Sequence, residues 1–140
     1  MLAIAINVDC VYMQVLLSKY VYYFLVPPRY TTISGDTHVY ANGVNKITLT
    51  CGTDSSSPPS SITWYMDGLR VTSNKNTTLT NGDYGGQLTS QELQFVPSRE
   101  MDGQVVECRA SNEIYSDTAA SSSLSLNLRC NHSINPNIEK

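Results

Sequence analysis

The sequence predicts an all-β fold, a sandwich of two antiparallel sheets preceded by an N-terminal segment that does not join it. Three observations carry this expectation. Beyond Pro27-Pro28, short runs of alternating apolar and polar residues recur with turn residues between them. No stretch there sustains the 3.6-residue apolar period of an amphipathic helix. The single tryptophan, Trp64, lies in one such run, flanked at a distance by runs that hold Cys51 and Cys108.

The elements follow in chain order. Residues 1–26 are apolar and tyrosine-rich, but Asn7, Asp9, Gln14 and Lys19 interrupt them too often for a clean membrane-crossing run of about 20 residues. The segment also lacks the basic start and small-residue cleavage site of a secretory signal. Three readings stay open: a divergent signal or anchor, a non-native extension ahead of a domain that begins near Pro27, or a short helix laid on that domain. In Lys46–Cys51 the period-2 rule points Ile47, Leu49 and Cys51 inward. The Ser/Pro-rich stretch Ser55–Ser61 is a connecting loop between core strands. After it Ile62, Trp64 and Met66 face inward, Thr63, Tyr65 and Asp67 outward, and Asp67-Gly68 ends the strand. Leu93 and Phe95 define a further inward face, and a turn spans Pro97 to Gly103. Val106, Cys108 and Ala110 are inward in the next run, and the last strand is read as Ser123–Leu128 with its three leucines inward.

Composition narrows the function classes. At 140 residues the chain holds one domain, and its net charge of −3 with scattered Lys and Arg gives no footprint for nucleic acid or an anionic membrane surface. Only 15% of residues are charged, and nine tyrosines supply most of the aromatic content, a balance common in β-rich extracellular modules. The four cysteines, Cys10, Cys51, Cys108 and Cys130, form no CxxC pair and show no zinc-ligand spacing, so a disulfide is a better use than a zinc site. The sequons at Asn76 and Asn131 agree with a secretory compartment. For catalysis, His38 has no nucleophile elbow or acidic orienter, and Glu100 with Asp102 reads as a solvated or capping pair in a turn. Calcium-loop spacing is absent. No catalytic residue, metal, cofactor or small-molecule substrate is expected.

The runs ITLTC, SSSPPSS, ITWYMDG and QELQFVPSREMDGQVVECRASN closely resemble the immunoglobulin-type domains of nectin- and nephrin-type adhesion receptors. The resemblance covers about Pro27 to Arg129. It implies an immunoglobulin-like β-sandwich with Greek-key connections over residues 27–129, followed by a polar tail over 130–140. It further implies a Cys51–Cys108 bridge against which Trp64 packs, within a core that includes Leu49, Leu93 and Val106. One departure stands out: many members carry a tyrosine two residues before the second cysteine, and Val106 occupies that position here. The turn at Asp102-Gly103 then needs another brace, for which an Arg99 to Asp102 contact is the expectation. Because the two ends of such a domain lie at opposite poles, Cys10 and Cys130 are not expected to pair, leaving Cys130 free or bonded to a partner chain.

Functionally the resemblance implies an extracellular or cell-surface recognition module that binds protein, either a second copy or another immunoglobulin-like surface protein. Thr63, Tyr65, Glu107 and Arg109 are expected side by side on one outward sheet face, with Tyr65, Glu107 and Arg109 as partner-binding residues. Ile114 and Tyr115, in the loop before the last strand, are expected as a second exposed contact pair. The same face also reads as a plain solvated one with a cross-strand salt bridge. The corresponding alternatives are a structural spacer in a longer ectodomain, or a soluble immune-type receptor.

Overall fold

The computed structural model describes residues 25–117 and 120–130. The leader ahead of Leu25, Cys10, and the tail with Asn131 lie outside the described residues. Eight strands form: β1 (Thr31–Ser34), β2 (Ile47–Thr53), β3 (Ser61–Met66), β4 (Leu69–Val71), β5 (Thr77–Asn81), β6 (Gln87–Phe95), β7 (Val105–Ser111) and β8 (Ala120–Ser125). They make two four-stranded antiparallel sheets, ordered β1-β2-β6-β5 and β4-β3-β7-β8. The connections β2 to β3, β4 to β5 and β6 to β7 each cross between sheets, so the two layers are interlocked by the chain itself.

Alternation builds the core. In β2 every second residue from Ile47 to Thr53 is buried, because successive side chains point to opposite faces of the sheet. Leu49, Trp64, Leu93, Val106, Leu126 and Leu128 close around Cys51 and Cys108. These cysteines are bonded across the sheets with Cα atoms 6.3 Å apart. Trp64 sits directly opposite Cys108 in the β3–β7 register. Its indole N–H meets no acceptor among the described residues, so packing alone holds the ring. Closing the 57-residue loop between the cysteines stabilises the fold by about 4 kcal/mol on the chain-entropy account.

Four features differ from the sequence expectations or extend them. The last strand ends at Ser125, earlier than Leu128. Leu126 and Leu128 are nevertheless buried, Leu124 is half-buried, and all three pack on the core. Ordered pairing begins ahead of Pro27, since Val26 exchanges two backbone hydrogen bonds with Ser57, at 2.7 and 2.9 Å. The turn after Pro97 keeps the expected Arg99 to Asp102 contact and adds two further ties. The Asp102 N–H does donate to the Arg99 carbonyl at 3.2 Å. Its carboxylate, however, accepts the Leu128 N–H at 2.7 Å, and the Gly103 N–H donates to the Leu126 carbonyl at 3.0 Å. Asp102 thus ties the turn to the chain leaving β8 and supplies the brace that Val106 cannot.

The chain beyond the first strand pairs a second time, outside the two four-stranded sheets. β1 stops at Gly35, whose φ of +142° suits glycine, and a Cβ there would lie 2.6 Å from the Thr48 carbonyl oxygen and 2.8 Å from Leu49 Cδ2. Beyond this break the chain crosses over, and Val39–Ala41 runs parallel to the segment at Arg129. The Arg129 N–H donates to the Val39 carbonyl and the Ala41 N–H to the Arg129 carbonyl, each at 3.0 Å. The Arg129 guanidinium lies 5.9 Å from the Tyr40 ring centroid.

Candidate recognition face

With Trp64 buried, Thr63 and Tyr65 must emerge on the outer side of β3. The β3–β7 register sets Thr63 opposite Arg109 and Tyr65 opposite Glu107. The turn after β3 holds this register. Asp67 and Gly68 both adopt positive φ, 46° and 79°, the requirement of a two-residue hairpin turn that Asp-Gly meets. Asp67 is then clasped to β7: its N–H donates to the Val105 carbonyl at 2.9 Å and its carboxylate accepts the Val105 N–H at 2.8 Å.

On the face so built, the Arg109 guanidinium stacks 4.2 Å above the Tyr65 ring centroid. Its Nε and Nη2 donate to the two carboxylate oxygens of Glu107, each at 2.9 Å. The forked geometry matches guanidinium to carboxylate and fixes both side chains. The Arg109 hydrogen bond draws the Glu107 carboxyl below its ordinary range, and Glu107 in turn holds the guanidinium more firmly protonated. The ion pair runs along β7, from residue to residue plus two, and is not the cross-strand bridge of the solvated-face reading. Neighbouring positions leave the cluster standing clear: on β8, Ser121 lies opposite Arg109 and Ser123 opposite Glu107, both exposed. On the other flank, exposed Arg70 lies opposite Tyr65 on the edge strand β4.

The loop after β7 is organised by a residue the sequence did not single out. Asn112 is buried, and its amide donates to the Val26 carbonyl at 3.2 Å and the Pro58 carbonyl at 3.3 Å. Its Oδ1 accepts the Ile114 N–H at 3.2 Å and the Tyr115 N–H at 2.8 Å. Of the expected pair, Ile114 projects, at 51% exposure. Tyr115, expected as its exposed companion, is half-buried, and its hydroxyl donates to the Leu25 carbonyl at 3.3 Å. Asn112 draws the loop down onto the chain before β1, and the tyrosine goes with it. Sequence order could not show this, because the three chain segments joined at Asn112 are remote from one another.

The remaining candidates lie apart from this face. His38 is an exposed loop residue 3.3 Å from the Asn127 amide, and Glu100 has its carboxyl lowered chiefly by a hydrogen bond from Ser98. Cys130 is an exposed free thiol. Asn76 precedes β5, in the sheet opposite Tyr65.

Comparison with known proteins agrees with the fold. Nephrin of Mus musculus is 30% identical over 103 residues, 74% of this chain but 8% of nephrin. Junctional adhesion molecule A of Homo sapiens is 33% identical over 90 residues, 63% of this chain and 29% of that protein. The chain therefore spans less than a third of the length of these curated relatives. The crystal structure of the mouse nectin-like molecule 4 ectodomain (Ig1-Ig3) superposes with a TM-score of 0.65 at 20% identity, over 76% of this chain and 35% of that one. The two-domain structure Rst D1-D2 gives a TM-score of 0.64 at 24% identity, over 75% of this chain and 51% of that one. Residues 30–117, more than half of the chain, match the family model of the CD80-like C2-set immunoglobulin domain. The interlocked sheets, the bridged cysteines and the tryptophan opposite Cys108 are what that match requires, and the chain belongs to this immunoglobulin family.

Proposed function

We propose that this chain is an extracellular recognition domain that binds a protein partner, a second copy or another immunoglobulin-like surface protein, through the outward face of the β4-β3-β7-β8 sheet. The binding unit is the sandwich over residues 27–129, and it acts without chemistry. The observation that carries the reading is the Tyr65–Arg109–Glu107 cluster. Its three side chains already hold one arrangement, so a partner meets a rigid aromatic and charged surface and loses little side-chain freedom on docking. Tyr and Arg are favoured anchors at the centres of interfaces, and the serines of β8 leave room around them. The adhesion molecules among the relatives support the same class of function, by analogy of fold.

One observation favours the spacer reading: Arg109 and Glu107 satisfy each other, as they would on a face that meets only water. Two variants separate the readings. Tyr65→Ala and the charge reversal Arg109→Glu are each expected to weaken self-association or partner binding about tenfold or more, measured by sedimentation or cell aggregation, with the fold retained in thermal melts. Unchanged association in both variants, with melts also unchanged, is the result the spacer requires.

A further inference from the structure

We propose that Asn76 is an N-glycosylation site whose glycan guards the outer edge of β5 against pairing with a second copy of this chain. The inference concerns the sheet opposite Tyr65 and does not rest on the binding face.

The edges of the sandwich differ in how they are protected. Past the end of β8, the strap Val39–Ala41 pairs with Arg129. β4 has three residues and carries Arg70, and β1 is four residues long and ends at the Gly35 break. β5 has none of these devices. Its five residues, Thr77-Thr78-Leu79-Thr80-Asn81, are all exposed, with no charge and no proline among them. It is hydrogen-bonded on one side only, to β6. An uncharged exposed edge of high β-propensity is a template for pairing with another chain, and natural sheets normally blunt such edges. Leu79, 46% exposed at its centre, adds an apolar contact to that template.

The sequon Asn76-Thr77-Thr78 sits where a blunting group would have to start. Asn76 immediately precedes β5, is exposed, and its side chain makes no hydrogen bond among the described residues. The turn before it is pinned. The Ser73 hydroxyl donates to the Glu92 carbonyl on β6 and accepts the Lys75 N–H at 3.0 Å, which fixes where Asn76 leaves the sheet. Modification in the secretory pathway uses an oligosaccharide carried on a lipid pyrophosphate. The Asn76 Nδ2 forms a bond to the anomeric carbon of the sugar as that carbon's bond to the phosphate oxygen breaks. The amide loses one proton, the lipid pyrophosphate leaves with the bonding pair, and nothing is oxidised or reduced. A glycan rooted one residue ahead of the edge strand sweeps the space that an incoming strand must occupy.

The test uses the chain secreted from glycosylating cells. Peptide mapping before and after treatment with an N-glycan amidase is expected to show Asn76 occupied; an unmodified Asn76 in the secreted protein overturns the proposal. Thr78→Ala, which removes the acceptor hydroxyl of the sequon, is expected to shift the protein from monomer to dimer in sedimentation velocity, with amide-exchange protection gained at Thr77–Asn81. Thr78→Ser keeps the sequon and is expected to keep the monomer. Adding Leu79→Lys to Thr78→Ala is expected to restore the monomer. Trimming the glycan of folded wild-type protein to its first sugar with an endoglycosidase, which leaves the Asn76 amide intact and adds no charge, gives the same reading without a substitution, should Thr78→Ala fail to fold. A deglycosylated protein that stays monomeric, or a dimer that Tyr65→Ala abolishes and Leu79→Lys does not, overturns the proposal.

Discussion

Replacing Asp102 probes the brace that stands in for the missing corner tyrosine. In Asp102→Ala the Leu128 N–H loses its carboxylate acceptor at 2.7 Å, and Leu128 is 6% exposed, so solvent reaches that donor poorly. Hydrogen bonds to charged groups are worth about 1.5–3 kcal/mol, and stranding a buried donor costs about 1–3 kcal/mol. Asp102 itself is exposed, which lets water reach part of the vacated position and puts the expected loss near the low end, about 1–2 kcal/mol. For a domain of this size that lowers Tm by roughly 4 °C or more. Asp102→Asn keeps an acceptor oxygen in place and is expected to cost about half as much or less. The measurement is urea unfolding with calorimetric melts of the two variants and the wild type under non-reducing conditions. An Asp102→Ala variant within about 0.5 kcal/mol of wild type, the range of ordinary surface substitutions, refutes the brace. A loss in Asp102→Asn as large as in Asp102→Ala refutes the acceptor role and leaves packing as the cause.

Trp64→Ala empties the space against the disulfide and is expected to cost about 3–5 kcal/mol in denaturant unfolding, while leaving the Cys51–Cys108 bond intact by mass spectrometry. Gly35→Ala forces a Cβ into the Thr48 carbonyl at a φ of +142° and is expected to destabilise the domain by more than about 1 kcal/mol, read from the shift in urea midpoint at unchanged slope. Glu107 contributes to the pH dependence with a definite sign. Its folded pKa is lowered from the ordinary 4.5, first by the Arg109 hydrogen bond, so its stabilisation is present above 4.5 and is lost as pH falls through the lower folded value. The pair lies at the outer surface of the sheet and the effect is small. Glu107→Gln is accordingly expected to lower stability slightly near neutrality, where that stabilisation is present, and to flatten the stability profile below pH 4.5.

The strands that were legible in the sequence are those that bury one face. In Ile47–Thr53, Ser61–Met66 and Val105–Ser111 an inward apolar set alternates with polar residues; the alternation turned Trp64, Cys51 and Cys108 inward and Tyr65 outward, and the resemblance to immunoglobulin-type domains brought the three inward residues together. β5 was not legible for the complementary reason. All five of its residues are exposed, so no inward set marks its period, and only pairing with β6 makes it a strand. β4 is too short to show a period, and its existence follows from the Asp67-Gly68 turn that precedes it. The side chains of Asp102 and Asn112 act on residues distant in sequence, Leu128, Val26 and Pro58, partners that no local pattern reveals. On the Tyr65 face the alternation gives shared sides, while the stacking of Arg109 on Tyr65 goes with the two hydrogen bonds that Arg109 donates to Glu107.

The strap at Val39–Ala41 bears on how the domain would carry load. It runs parallel to the segment at Arg129, so when the chain before β1 and the chain after Arg129 are pulled apart, the two strands are drawn past each other along their length. The hydrogen bonds between Arg129 and both Val39 and Ala41 are then strained together in shear, whereas an antiparallel hairpin pulled at its open end gives way one bond at a time. Extraction of the first strand under tension thus requires these bonds to rupture in a single event, followed at most by opening up to the Cys51–Cys108 bridge, beyond which the enclosed loop cannot extend. For a domain strung between two anchored surfaces, the parallel strap is a mechanical latch near the ends of the sandwich, and the disulfide is the stop behind it.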